Sequence, residues 1–286
     1  MRRSSLNIGG KLLTTDGGLI MAILNTTPDS FYAASRTGSS ELFSKVENFL
    51  TEGADILDLG AVSTRPGASF VTEEEELKRL LPVLKVLRKE FPTTPLSIDT
   101  YRSNVARIAV AEGAQIINDI SGGKFDANMW KTMGELKVPY IAMHLEGTPE
   151  NLHPEIQYDN VLTHLTQRFS EYDVMANEYG VSDLILDPGF GFSKTVEENY
   201  TILNNLDSFS FLNRPLLIGL SRKRMIWNQL GITPDEALNG TTVAHTLAAK
   251  QGDFIYRVHD VKEMKQVLEL SKLGKGKMLD TPQHSS

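Results

Sequence analysis

The sequence predicts an α/β fold, a (β/α)8 TIM barrel with a short N-terminal β-hairpin. Three observations predict it. Eight short apolar runs recur along the chain, each too short for a helix and without strict polar alternation, as befits parallel strands buried on both faces. Segments of helical period lie between most of them. The length, 286 residues, suits one barrel of about 250 residues with extensions.

In order, the runs are Met21–Leu24, Ile56–Leu59, Leu96–Ile98, Gln115–Ile117, Tyr140–Met143, Leu184–Leu186, Leu216–Leu220 and Ile255–Val258. Ahead of them, Leu6–Ile8 and Lys11–Leu13 flank Gly9-Gly10, a hairpin pattern placed to plug the barrel bottom. Glu73–Glu90 carries Leu77, Leu80, Leu81, Leu84 and Leu87 on one side, and Thr72 with Glu75 has the spacing of a capping box. Asn160–Tyr179 repeats the stripe with Leu162, Leu165, Phe169, Tyr172 and Ala176. No internal repeat or linker interrupts the strand–helix rhythm. We therefore expect a single domain over 1–286, with a core from about residue 6 to 273 and a frayed Gly-, Ser- and Lys-rich tail over 274–286.

Composition narrows the function. The net charge of −7 at pH 7 argues against a protein that coats nucleic acid. No apolar run approaches the roughly 18 residues of a membrane span, and the basic start Met1-Arg2-Arg3 has no apolar segment behind it, so a cytoplasmic enzyme is expected. The absence of cysteine excludes disulfides, thiolate catalysis and Cys-ligated metals.

Polar residues crowd the C-terminal ends of the runs: Asn25, Ser63–Gly67, Asp99, Asn118-Asp119, His144, Asp187, Ser221-Arg222-Lys223, and Arg257 with His259. In a barrel that rim carries the active site, because the βα loops converge there. Asp99, Asn118 and Asp187 offer carboxylate and amide groups, matching a flat heterocycle that shows amino and ring N–H donors beside a carbonyl. Arg65, Lys223, Arg257 and His259 group cations within an acidic protein, which points to a phosphate or diphosphate. A metal held by one Asn and a diphosphate is compatible with Mg²⁺, which takes few protein ligands. Gly189–Thr195 looks like a phosphate loop ending in Lys-Thr, but Ser193 stands where that motif needs Gly. His153, His164, His245 and His284 show no metal-ligand spacing and read as surface or core residues.

Taken in order, Met21–Phe31, Ser63–Gly67, Ser97–Thr100, Ile117–Ile120, Met143-His144, Asp187–Phe192, Ser221–Lys223 and Arg257–Val261 resemble the dihydropteroate synthase family over nearly the whole chain. The resemblance implies condensation of 6-hydroxymethyl-7,8-dihydropterin diphosphate with 4-aminobenzoate, giving 7,8-dihydropteroate and diphosphate in folate biosynthesis. It implies that Asp99, Asn118, Asp187 and Lys223 hold the pterin, that Thr64 contacts the diphosphate substrate, and that Arg257 and His259 take the diphosphate itself. By the same resemblance Asn25 coordinates Mg²⁺, and Arg65, Pro66, Phe192 and Lys223 line the aminobenzoate pocket, with Arg65, Lys223 and Asp99 as the catalytic set. A homodimer and sulfonamide binding are further implications.

The chain departs from the family pattern at Ala61-Val62, in the segment Tyr32–Ser35, and at Arg224, which either reinforces carboxylate binding or faces solvent. Competing readings are a pterin-binding methyltransferase component, a non-catalytic pterin-binding protein, and a Schiff-base aldolase using Lys223 with Arg222 and Arg224 depressing its pKa. The segments Thr26–Ser35 and Ser63–Ser69, rich in Ser, Thr, Gly and Pro, are expected to be mobile loops over the site.

Overall fold

The computed structural model describes residues 5–25, 36–62, 71–154 and 156–274, with the backbone alone for 36–40. The expected mobile loops and the tail beyond 274 lie outside the described residues. β1 (Ser5–Ile8) and β2 (Lys11–Thr14) form the antiparallel hairpin, with Ile8 opposite Lys11 across Gly9-Gly10. The turn is held by Gly10 N–H donating to Asn7 Oδ1 at 3.0 Å.

Strands and helices then alternate. They are β3 (Leu19–Asn25), α1 (Arg36–Glu52), β4 (Ile56–Gly60), α2 (Glu73–Glu90), β5 (Leu96–Asp99), α3 (Ser103–Ala111), β6 (Ile116–Asp119) and α4 (Met129–Leu136). The series continues with β7 (Tyr140–Met143), α5 (Val161–Tyr179), β8 (Leu184–Asp187), α6 (Val196–Leu203), β9 (Leu217–Ile218), α7 (Arg224–Leu230), α8 (Leu238–Ala249), β10 (Ile255–Val258) and α9 (Val261–Gly274). The eight parallel strands follow the order β8-β7-β6-β5-β4-β3-β10-β9, and a parallel bridge from Leu186 to Leu216 brings the sheet ends together. Leu186 N–H donates to Pro215 C=O at 3.0 Å on that seam.

The apolar run Leu216–Leu220 is strand only at Leu217–Ile218. Leu220 C=O instead accepts from Lys223 N–H at 3.2 Å, so the chain turns there and the ladder stops. Both helical expectations hold. Thr72 caps α2, its hydroxyl accepting from Glu75 N–H at 3.3 Å, and Asn160 Oδ1 caps α5 through Thr163 N–H at 3.0 Å. The Glu75 carboxylate pairs with Arg79 at 2.8 Å, whereas the two-way capping box forms at Thr195 and Glu198 on α6.

Two apolar layers follow from the pleat. Outward residues such as Ile20, Leu57, Leu59, Ile98, Ile117, Tyr140 and Tyr256 pack against the helices. Inward residues Leu19, Met21, Ile56, Ile116, Ile141, Ile185, Leu217 and Ile255 form a closed floor with Leu6 and Ile8 of the hairpin. The hairpin is thus the barrel's lower stopper. Leu6 is fully buried. Truncating Leu6 to Ala should cost about 2–5 kcal/mol of unfolding free energy, read by urea denaturation, because the stopper cannot collapse into the space left. A loss below about 0.5 kcal/mol would show that the barrel closes without it.

Candidate active site

Side chains two apart on a strand share a face. On β4, β6, β8 and β10 the floor isoleucine is followed two residues later by a polar residue: Ile56 by Asp58, Ile116 by Asn118, Ile185 by Asp187 and Ile255 by Arg257. One alternation converts an apolar floor into a polar layer about 6.5 Å higher. Asp99, at the end of β5 and in register with Gly60 and Asn118, joins it.

Arg257 ties this layer together. Its Nε donates to Asp58 Oδ2 at 2.7 Å and its Nη2 to Asp99 Oδ2 at 2.9 Å. Asn118 Nδ2 donates to the same Asp58 oxygen at 3.1 Å. Asp58 is fully buried, and its Oδ1, like Ser97 Oγ beside it, has no hydrogen-bond partner among the described residues. Such groups are ready to meet a polar ligand. Burial pushes the Asp99 carboxyl up to about 7 despite Arg257, with Asp58 adding to the rise. Burial also raises Asp187, whose Oδ1 accepts from Gly189 N–H at 2.7 Å.

The segment after β8 forms the next wall. Lys223 Nζ donates to Phe190 C=O at 2.8 Å and lies 4.4 Å above the Phe192 ring, a cation–π contact. Gly191 permits this approach: a Cβ there would stand 3.1 Å from Lys223 Cδ, on a backbone with φ of +78°. The Phe192 ring also stacks on His153, with centroids 4.9 Å apart and planes at 13°. Burial lowers the Lys223 amine to about 8, against the pull of Asp187. Arg222 contributes little to that, since its guanidinium is turned onto Asp260 at 2.8 and 3.0 Å and onto the carbonyls of Pro234 and Asp235. Arg224 is exposed at the start of α7.

The phosphate-loop look-alike folds the other way round. Lys194 is turned inward, Nζ donating to the carbonyls of Gly189 at 3.2 Å and Phe192 at 3.1 Å, and burial brings its pKa down to about 7. A phosphate loop presents N–H groups to its anion; here carbonyls converge on an internal cation. Ser193 takes the left-handed φ of +49° and holds it by donating from Oγ to Glu146 C=O at 2.8 Å.

On the rim, His259 Nδ1 lies 3.1 Å from Ser221 Oγ. Asn25 ends β3 in register with Gly60. A Cβ at Gly60 would meet Asn25 Oδ1 at 3.6 Å and Asp99 Oδ2 at 3.7 Å, so an amide and a carboxylate oxygen both border the space that Gly60 leaves open. Hard oxygens of this kind fit Mg²⁺.

The structure thus gathers Asp99, Asn118, Asp187, Lys223 and Arg257 in or beside the lumen, with Phe192 against Lys223. Thr64, Arg65 and Pro66 lie outside the described residues. Two rim candidates point away. Asp119 faces the outer layer, accepting from Tyr140 Oη at 2.7 Å and from Ser121 and Gly123 N–H. His144, one residue past lumen-facing Met143, turns toward α5 and lies 3.1 Å from His164. Sequence reasoning missed Asp58, Lys194 and His153. The signal for Asp58 was present: a lone carboxylate inside the apolar run Ile56–Leu59.

Fold and site define a TIM-barrel enzyme whose lumen accepts a small polar heterocycle with an anionic group at its rim. The model of the family described as pterin binding enzyme matches residues 21–259. The chain is 40% identical over 263 residues to dihydropteroate synthase of Bacillus subtilis, covering 90% of each protein, and 38% identical over 254 residues to that of Escherichia coli, covering 88% of this chain and 89% of the relative. Among solved structures, dihydropteroate synthase of Xanthomonas albilineans with 4-aminobenzoic acid superposes with a TM-score of 0.86 at 35% identity, over 98% of this chain and 99% of that one. The Yersinia pestis enzyme with a sulfonamide drug gives 0.87 at 33% identity, over 95% and 99%. The chain belongs to the pterin binding enzyme family.

The Asp99 carboxyl has a pH signature. Its folded value, about 7, exceeds the ordinary 3.8, so the folded protein keeps a proton that the unfolded chain releases. That contribution to stability is complete below about pH 4 and is lost as pH rises through about 7. Replacing Asp99 by Asn should flatten the decline in urea midpoint across this window. An unchanged slope would assign the titration to another group.

Proposed function

We infer that the chain is a dihydropteroate synthase, joining 6-hydroxymethyl-7,8-dihydropterin diphosphate to 4-aminobenzoate with release of diphosphate. One observation carries the reading: carboxylates and an amide line a lumen layer whose facing wall is cationic, Asp58, Asp99, Asn118 and Asp187 against Lys223 and Arg257. The acidic side suits the amino and ring N–H groups of a pterin. The cationic side suits its carbonyl and diphosphate.

The electron-rich dihydropterin supports positive charge on its methylene carbon as the C–O bond to diphosphate breaks. Arg257, with Nε and Nη2 committed to carboxylates, directs its remaining Nη1 to the departing anion, and His259 adds a donor at the rim. Mg²⁺, held by Asn25 beside Asp99, would neutralise diphosphate charge. The aromatic amine carries a free lone pair near neutral pH and forms the C–N bond without a strong general base; the proton it loses goes to solvent or phosphate oxygen. Arg65, Pro66, Phe192 and Lys223 are the proposed aminobenzoate contacts. Phe192, held in contact with both the Lys223 ammonium and the His153 ring, supplies a preset aromatic wall.

The proposed assembly is a homodimer through α8 and α9. Val243 and Leu247 of α8 and Leu270 and Leu273 of α9 are 39–68% exposed, beside a cleft of about 880 Å³ between the two helices. The inner face of α8 buries Ala244, Ala248 and Ala249 together with Thr241 and His245, so the apolar Val243 and Leu247 are left on its outer face for a partner. No helix among the described residues is long and apolar enough to cross a membrane.

Product formation from the pterin diphosphate and 4-aminobenzoate, with and without Mg²⁺, tests the activity directly; no product under either condition would end the reading. Asp187→Asn should weaken binding of a pterin analogue by about 1.5–3 kcal/mol in calorimetry, the worth of a hydrogen bond to a charged group, with a smaller effect on aminobenzoate. Leu270→Glu should convert the dimer to monomer in light scattering. A wild type that is already monomeric would remove the assembly.

A further inference from the structure

His144, Glu146 and His164 meet on the outer side of β7, away from the lumen. His144 and Glu146 belong to the segment leaving β7, and His164 to the first turn of α5. The two imidazoles point their Nε2 atoms at each other across 3.1 Å. Glu146 Oε1 lies 3.9 Å from His144 Nε2 and 3.8 Å from His164 Nε2.

A shared proton between neutral rings accounts for the first distance. Glu146 Oε1 takes no part in it, because 3.8–3.9 Å is too long for a hydrogen bond to either ring. The three atoms nevertheless share one property. A triangle with sides of 3.1, 3.8 and 3.9 Å has a circumscribed radius of about 2.1 Å. That is the bond length zinc makes to histidine nitrogen and to carboxylate oxygen. We propose that His144 Nε2, His164 Nε2 and Glu146 Oε1 form a binding site for a divalent transition cation of the zinc type, with water completing the coordination.

The donor set decides the class of ion. Two imidazoles and one carboxylate suit Zn²⁺, Co²⁺ and their neighbours, whereas Mg²⁺ prefers oxygen ligands only. The surroundings supply an entry path and orientation. His164 is 34% exposed and opens the cluster to solvent, while His144 is fully buried and anchors it. The other Glu146 oxygen, Oε2, accepts from Lys124 Nζ at 2.6 Å, the outer contact that aims a ligating carboxylate. One contact competes: Arg168 Nη2 donates to Oε1 at 3.0 Å. Arg168 also holds Glu171 at 2.9 Å through Nη1, so it has a second anchor when an ion takes Oε1. Binding therefore exchanges an ion pair for a metal bond. An ion here would fasten the β7–α5 segment, which carries His153 against Phe192, to helix α5.

The test uses the full chain without a histidine tag, stripped with EDTA and free of substrates. Titration with Zn²⁺ in a calorimeter should give one equivalent bound, and Co²⁺ should develop the intense visible bands of a four-coordinate ion. His164→Gln should abolish both signals while turnover measured with Mg²⁺ stays at the wild-type level. Arg168→Ala should tighten Zn²⁺ binding, since the competitor for Oε1 is gone; a purely structural cluster would show no such gain. Wild-type protein that takes up no Zn²⁺ overturns the proposal. So does binding that survives His164→Gln, which would place the ion elsewhere. The Co²⁺ spectrum of the wild type needs no variant to fold, and a weak six-coordinate spectrum would equally refute the site.

Discussion

The guanidinium of Arg257 sits where two carboxylates from neighbouring strands would otherwise face each other in a closed lumen. Asp58 and Asp99 line the lumen from β4 and β5, and burying carboxylates there without a cationic partner carries a large desolvation cost. Arg257 reaches them from β10, across β3, so its position depends on the register of four adjacent strands. Asn118 extends the same network to β6. Loss of the cation would strip the fully buried Asp58 carboxyl of its ion pair. The interaction therefore sets both barrel integrity and the charge of the site, and little in the lumen can change without it.

Around this fixed centre the second wall is built by a short segment with unusual internal bonding. The carbonyls of Gly189 and Phe192 accept from Lys194 and that of Phe190 from Lys223, while the Gly191 carbonyl meets His153 and the Phe192 ring contacts both Lys223 and His153. Ser193 holds its left-handed backbone by bonding both backbone groups of Glu146, so the β8 segment is fastened to the β7 segment. The same Glu146 side chain faces His144 and His164. Active-site wall and outer histidine cluster are therefore joined through one residue.

Much of this architecture is legible in residue order. The hairpin, the strand runs and the capped helices α2 and α5 depend on near-neighbour chemistry: alternation, helical period and capping side chains. Asp99, Asn118 and Asp187 were readable because they end apolar runs. Asp58 carried a signal as well, a lone carboxylate inside an apolar run, but a carboxylate within a strand declares its face only once its neighbours are placed. Arg222 and Lys223 illustrate the same limit. Adjacent cations read as a pair, yet one turns to Asp260 and the other to Phe190. The Gly189–Thr195 segment, set aside as a phosphate loop because Ser193 stands where that motif needs Gly, shows the same limit: a sequence lists glycines and a lysine but not which way the carbonyls point.

The sequence by itself determined the fold class, the closing hairpin and the set of polar groups available at the barrel mouth, because each rests on periodicity or on residues close along the chain. Tertiary structure alone decided which of those groups share the lumen. The contacts Asp58–Arg257, Asp99–Arg257, Phe192–His153 and His144–His164 join residues far apart in sequence, and each exists only after the strands have taken their register and twist. A one-residue slip would turn the same side chains to the opposite face.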